Sequence, residues 1–205
     1  DYNEIMSLTE QLFEFVSKKV LGTTKIVYQG TKIDLKGPWP RLTMYDAIKK
    51  YANLDVTKLL DENIKEELSK HRIELQGKFN RGLAITALFE ELVESKLIEP
   101  VHIIDHPRET SPLCKLKRGN EELIERVEPY INGWEVGNGY SELSDPKQQY
   151  DEFKKQEERG KGGDEEAQKM DEDYVEALEY GLPPTGGLGI GIDRLIMLLT
   201  DQTMI

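Results

Sequence analysis

Asn132-Gly133 stands between two runs that alternate apolar and polar residues, Arg126–Ile131 and Trp134–Leu143. An Asn-Gly pair supplies the two left-handed residues of a type I′ turn, whose twist matches that of paired strands. The chain is thereby committed to an antiparallel hairpin, and each nearby side chain is assigned a face. Strict pairing from the turn sets Ile131 against Trp134, Tyr130 against Glu135 and Glu128 against Gly137. Glu128 and Glu135 then share a face as diagonal neighbours, with Cα atoms about 7–8 Å apart. Two carboxylates so placed suit Mg²⁺, which takes one or two carboxylates and fills its shell with water and phosphate oxygens. Two solvated glutamates on a sheet face would produce the same spacing.

The second strand continues as Gly137-Asn138-Gly139-Tyr140-Ser141-Glu142-Leu143. Glycines around Asn138 let a ligand approach the backbone. Under strict alternation Asn138 and Glu142 face away from Glu135. A bulge at Gly137 or Gly139 would bring them to its side. An amide and a carboxylate together suit an ammonium group.

Gly187, Gly189 and Gly191 recur at every second position. In a strand this strips one face of side chains and leaves a floor for a planar base. Arg194 follows at the start of an apolar helix, where a guanidinium and the helix N–H groups make an anion site. Close backbone packing at a sheet crossing would explain the ladder equally well. The pattern matches neither the dinucleotide fingerprint nor the Walker loop. Gly160–Gly163 reads as a flexible loop for the same reason.

Elsewhere the periodicity predicts helices over 3–20, with Gly22 as C-cap, from Thr43 through Tyr51, from a Thr57 cap through Leu68, and around Ile85–Val93. Short strands are predicted at Lys25–Tyr28, Thr31–Leu35, Val101–Ile104 and Gly186–Ile192, with a polar loop over Asp105–Pro112. Lys154–Gly163 reads as a charged stretch, Asp173–Tyr180 as a short helix and Leu195–Thr200 as a final one. The chain divides into 1–40, a helical insertion at 41–97, and 98–205. The fold class is α+β, an antiparallel β-sheet flanked by helices. Hydrophobic residues make up 38% of the 205, enough for a globular core.

The 27 Lys and Arg against 39 Asp and Glu give a net charge of −12. Residues 151–180 hold 12 acidic and 5 basic residues, more than half of the imbalance. The excess argues against broad nucleic-acid binding by this segment. No apolar run approaches the roughly 18 residues of a membrane span, and no signal peptide is visible. Cys114 is the single cysteine, so an internal disulfide and a cysteine metal cluster are excluded, and a reducing compartment fits. His71, His102 and His106 are expected to be structural.

Gly181-Leu182-Pro183-Pro184-Thr185-Gly186-Gly187-Leu188-Gly189-Ile190-Gly191-Ile192-Asp193-Arg194 resembles motif 3 of class II aminoacyl-tRNA synthetases. The set Glu128, Glu135, Asn138 and Glu142 is similar to the lysyl branch of that family. His106-Pro107, Ser111-Pro112-Leu113 and Asp171-Glu172-Asp173-Tyr174 agree with it. The resemblance spans essentially the whole chain, most densely 98–200. It implies a cytoplasmic, homodimeric ligase that joins lysine to tRNA(Lys) through a lysyl-adenylate. It implies that Glu128 and Glu135 hold Mg²⁺ and ATP phosphates, and that Asn138, Tyr140 and Glu142 bind lysine, Glu142 at the ε-ammonium. Gly189 and Gly191 would lie under adenine, and Arg194 would meet ATP as the catalytic residue.

Motif 1, motif 2 with its phosphate-clamping arginine, and an anticodon-binding domain are not in these 205 residues. Val101-His102 stands where the family usually has Thr-Phe. The expectation is therefore a part of a larger catalytic domain, inactive when isolated. A lysine ligase acting on protein, or a truncated paralogue that binds ATP or lysine without catalysis, fits the same residues.

Overall fold

The computed structural model describes residues 1–164 and 167–205, so Glu165 and Glu166 of the acidic stretch lie outside the described residues. The chain opens with helix α1 (Tyr2–Leu21), capped by Asp1 in a reciprocal capping box with Glu4 and closed by Gly22 at φ 75°. A small hairpin follows, β1 (Lys25–Tyr28) and β2 (Thr31–Asp34). Strand β3 (Arg41–Thr43) leads into α2 (Met44–Ala52), α3 (Asp61–His71) and α4 (Arg81–Leu92). Then come β4 (Val101–Pro107), β5 (Leu116–Lys117), β6 (Asn120–Ile131), β7 (Trp134–Glu135) and β8 (Gly137–Ser141). Helices α5 (Pro146–Lys161) and α6 (Glu172–Glu179), strand β9 (Gly186–Ile190) and helix α7 (Ile192–Thr200) complete it.

The main sheet has the order β3-β4-β6-β8-β9, with β5 and β7 also pairing with β6. All its pairings are antiparallel except β3 with β4. The α+β class therefore holds. The long strand β6 is the spine, and its alternation gives the sheet two distinct faces. On the back, Val127 packs with Ile5 and Met6 of α1, while Ile131 joins Phe13, Trp39 and Leu195. On the front, Tyr130 joins Val101 and Ile103 of β4 in a core with Ile64, Ile85, Leu88 and Phe89 of the helical insertion. The insertion covers only the β4 side of the front. The β8–β9 side stays open.

Several boundaries differ from the sequence reading. Arg41–Thr43 forms a strand that the sequence pattern did not mark, paired in parallel with His102–Ile104 in the main sheet. Thr57 caps no helix. It bonds to Asp55 at 2.6 Å in a 3-10 turn, and α3 starts four residues later. The expected loop at Asp105 begins three residues too early, because β4 continues through Pro107, and His106 and Pro107 still pair with β6 past a bulge. Most of the charged stretch at 154–163 lies in α5, which Asp145 caps and Pro146 starts; the helix runs through Gly160 and Lys161 of the expected loop, and only Gly162 and Gly163 follow it. Its inner face is polar, with Gln149, Glu152 and Gln156 buried beside Phe153, so no apolar stripe marks it.

The histidines are structural as expected. His102 Nε2 is 3.1 Å from Glu10 Oε1 under the Trp39 ring, and burial together with Arg41 holds its pKa down to about 4. His106 Nε2 sits 3.1 Å from the Ile103 carbonyl. His71 is 3.6 Å from Glu67 on α3. Cys114 is buried, and burial pushes its thiol up to about 12, so it is an inert core residue. Among the described residues no helix is long and apolar enough to cross a membrane.

Candidate active site

Asn132 at φ 55° and Gly133 at φ 73° make the expected turn, and Ile131 pairs with Trp134 and Tyr130 with Glu135. Farther out the register slips. Val127 pairs with Gly139 and Arg126 with Tyr140, so Val136 and Gly137 together oppose Pro129. Val136 N donates to the Pro129 carbonyl at 2.8 Å. Proline offers no N–H to the ladder, which makes its partner position a natural place for an extra residue. The strict pairing of Glu128 with Gly137 is thus replaced. The continued register puts Asn138 opposite Glu128, and Asn138, Tyr140 and Glu142 come round to the front face.

Four polar side chains interlock there. Arg126 Nη2 is 2.7 Å from Glu128 Oε1, and its Nε donates to Asn138 Oδ1 at 3.2 Å. Asn138 Nδ2 lies 3.4 Å from Glu128 Oε1 and 3.5 Å from Glu135 Oε1. Burial, and then the neighbouring Glu128, raise the Glu135 pKa. The sequence reading missed Arg126. The signal was parity, since it lies two residues before Glu128 on one strand and so shares its face. Among the described residues no group of three or more histidines, cysteines or acids is arranged to hold a metal. Two carboxylates alone make an incomplete oxygen shell, which matches a cation that also binds phosphate oxygens.

Glu142 follows β8, where its N–H donates to the Thr185 carbonyl at 2.9 Å and it bridges to Cys114. Its carboxylate reaches across β9. A Cβ on Gly187 would come within 2.3 Å of Glu142 Oε1, so the bare strand is what lets the carboxylate lie there. Burial raises its pKa, and no hydrogen-bond donor or cation among the described residues sits on it. Tyr140 stands beside it, its phenol pushed up to about 12 by burial and then by Glu142. A half-buried carboxylate with no partner is costly unless something cationic completes it.

Gly187 pairs with Tyr140 and Gly189 with Asn138, so both glycines face front. A Cβ on Gly189 would meet nothing nearer than the Asn138 carbonyl at 3.7 Å, which leaves an open floor. Gly191 is off the strand. It caps α7, and its Cβ position lies 3.6 Å from Arg194 Cδ. The ladder thus has two rungs and a cap. Arg194 Nη1 donates to the Glu135 carbonyl, which anchors the guanidinium at the rim. Glu135, Asn138, Gly189 and Arg194 line one cavity of about 510 Å³. Another cavity of about 510 Å³, between 76–83 and α5, holds none of these residues; its Arg108 and Arg159 are paired to Glu152 and Asp164.

A largely antiparallel sheet flanked by helices is the fold class that the sequence resemblance implies. A family model described as tRNA synthetases class II (D, K and N) matches residues 1–205, and the chain belongs to that family. Within it, the chain is 49% identical over 209 residues to the lysine–tRNA ligase of Clostridium novyi (strain NT), covering 100% of this chain and 41% of the relative. It is 51% identical over 203 residues to the lysine–tRNA ligase of Thermoanaerobacter sp. (strain X514), at 98% and 40% coverage. The lysine–tRNA ligase of Pelotomaculum thermopropionicum is 51% identical over 208 residues, at 100% and 41%. The chain spans about 40% of the length of these curated relatives.

Proposed function

We propose that this chain is the part of a lysine–tRNA ligase catalytic domain that holds lysine and ATP. The full-length protein would join lysine to tRNA(Lys) in the cytoplasm, as a homodimer. The division into core residues 1–40, an insertion over 41–97 and core residues 98–205 belongs to the same proposal. The observation that carries it is Glu142, a half-buried carboxylate with no partner among the described residues, beside Tyr140 and over the bare strand at Gly187. A lysine ε-ammonium completes that site. An aspartate or asparagine side chain, the substrates of the family's other branches, would bring a carboxylate or an amide to a carboxylate.

In this reading Glu142 and Tyr140 hold the lysine side chain, and Asn138 orients its head. Gly189 and Gly191 lie under adenine, and the Arg194 guanidinium meets the ATP phosphates. Glu128 and Glu135 fit Mg²⁺ by their oxygen donors and their shared amide, and the chemistry the ion supplies when bound is neutralisation of phosphate charge. Arg126 keeps Glu128 and Asn138 in place through two contacts. The lysine carboxylate then attacks the α-phosphorus of ATP, the α–β bridging bond breaks, and pyrophosphate leaves. No side chain has to move a proton in that step, so positioning and charge placement supply the rate. Lysine-dependent exchange of pyrophosphate into ATP by the full-length protein is the test. Exchange is expected with lysine alone among the amino acids, and its absence overturns the proposal.

A further inference from the structure

The covered and open halves of the front face meet at one phenol. Tyr130 Oη lies 2.7 Å from Glu94 Oε1 and 3.1 Å from Glu128 Oε2. Its ring is fixed in the insertion core, edge-on to Phe89 with centroids 5.7 Å apart. Glu94 opens a 3-10 turn, Glu94–Lys96, just after α4. The segment around that turn also seats the hairpin. Asn132 N donates to the Ile98 carbonyl at 2.9 Å and Gly133 N to the Leu97 carbonyl at 2.8 Å. A Cβ on Gly133 would come to 3.2 Å from Ser95 Cα and 3.3 Å from the Glu94 carbonyl. Backbone contacts thus fix Glu94 relative to the hairpin that carries Glu128 and Glu135.

A phenol has one proton to donate. Two carboxylate oxygens compete for it here, and the shorter contact is to Glu94. The proton that Glu94 accepts is one that Glu128 does not receive. We infer that Glu94 is a positioning residue of the insertion, which draws the Tyr130 proton to itself and so keeps Glu128 Oε2 free for the cation of a bound nucleotide. The inference rests on the reading of Glu128 as a ligand for Mg²⁺–ATP. Without an acceptor at Glu94, the phenol turns to Glu128 and occupies a lone pair that the cation needs. Changes to such outer partners of metal ligands typically alter affinity by about 10–100-fold.

Calorimetry of ATP binding to the full-length protein, titrated across Mg²⁺ concentrations without lysine, tests this apart from turnover. Glu94→Ala is expected to raise the Mg²⁺ needed for half-maximal ATP binding by about tenfold. Glu94→Gln, whose amide oxygen still accepts from the phenol, stays within about twofold of the unaltered protein, inside the scatter of such contacts. In a Tyr130→Phe background Glu94→Ala adds nothing, because no proton is left to misdirect. An equal Glu94→Ala loss in that background overturns the inference, as does a Glu94→Gln defect as large as that of Glu94→Ala. If the unaltered protein binds ATP independently of Mg²⁺, the reading of Glu128 itself fails instead.

Discussion

The front face of one sheet does two different jobs. On the β4 side, Val101, Ile103 and Tyr130 are sealed under α2, α3 and α4. On the β8–β9 side, Arg126, Glu128, Asn138, Tyr140 and Glu142 stand on the same face without an apolar cover. The strand geometry is common to both halves, so the difference lies in the side chains and in what covers them. The covered half consists of shapes that fill one another. The open half contains carboxylates at Glu135 and Glu142 that burial raises, and Glu142 has no donor on it among the described residues. A site that costs the fold something in the absence of ligand is expected where a ligand binds.

Substitutions can separate the halves. The largest effect is expected in the cover. Leu88 is fully buried in the insertion core, and Leu88→Ala should cost about 2–5 kcal/mol of stability through the cavity it leaves. Chemical denaturation measures it, and a loss below about 1 kcal/mol would mean that the core is not packed as described. Lysine and ATP KM values should hardly move. Next is Arg126→Gln, which leaves Glu128 and Asn138 without their shared donor. A loss of about 2–3 kcal/mol in kcat/KM is expected, divided between lysine and ATP because Arg126 touches both sides of the site. A defect confined to one substrate would place Arg126 elsewhere. Gly187→Ala is smaller. Its methyl would displace the Glu142 carboxylate, the end of a flexible side chain, and lysine KM should rise about tenfold, or roughly 1.4 kcal/mol, with little change for ATP.

The smallest effect is with pH. Burial raises the Glu142 carboxyl, so on acidification from neutrality it takes up a proton before an ordinary carboxylate would. The neutral acid cannot pair with an ammonium, and lysine KM should therefore climb as pH falls through that raised range. Ligand-free stability should move the opposite way. A carboxyl raised in the folded state favours folding as pH drops from above its folded pKa towards the unfolded value, and Glu135 adds in the same sense. A lysine KM flat down to the ordinary carboxylate range would contradict the assignment.

Much of the open half was legible because its signals are local. Asn132-Gly133 specifies a turn by itself, and alternate glycines specify a bare strand face wherever the strand lies. The bulge was legible as a possibility, but its position depends on Pro129 across the ladder, eleven residues upstream of the Tyr140 it re-aims. Arg126 escaped notice because a lone arginine beside acids looks like ordinary surface charge until both neighbours are seen to be held. The helix α5 escaped for the opposite reason: its buried face is made of glutamine and glutamate, so hydrophobic periodicity had nothing to report. The placement of Glu94 against Tyr130 is a contact between residues 36 apart, which no local pattern encodes.

Paired binding measurements on the full-length protein test the central claim most directly. Calorimetric titration of lysine and of Mg²⁺–ATP, on the unaltered protein and on Glu142→Gln, asks whether the unpartnered carboxylate is the ammonium site. Loss of lysine affinity by about 30-fold or more, from a charge-assisted contact of at least about 2 kcal/mol, is expected, with ATP changed less than about threefold. Equal losses for the two ligands, or an unchanged lysine affinity, would contradict it.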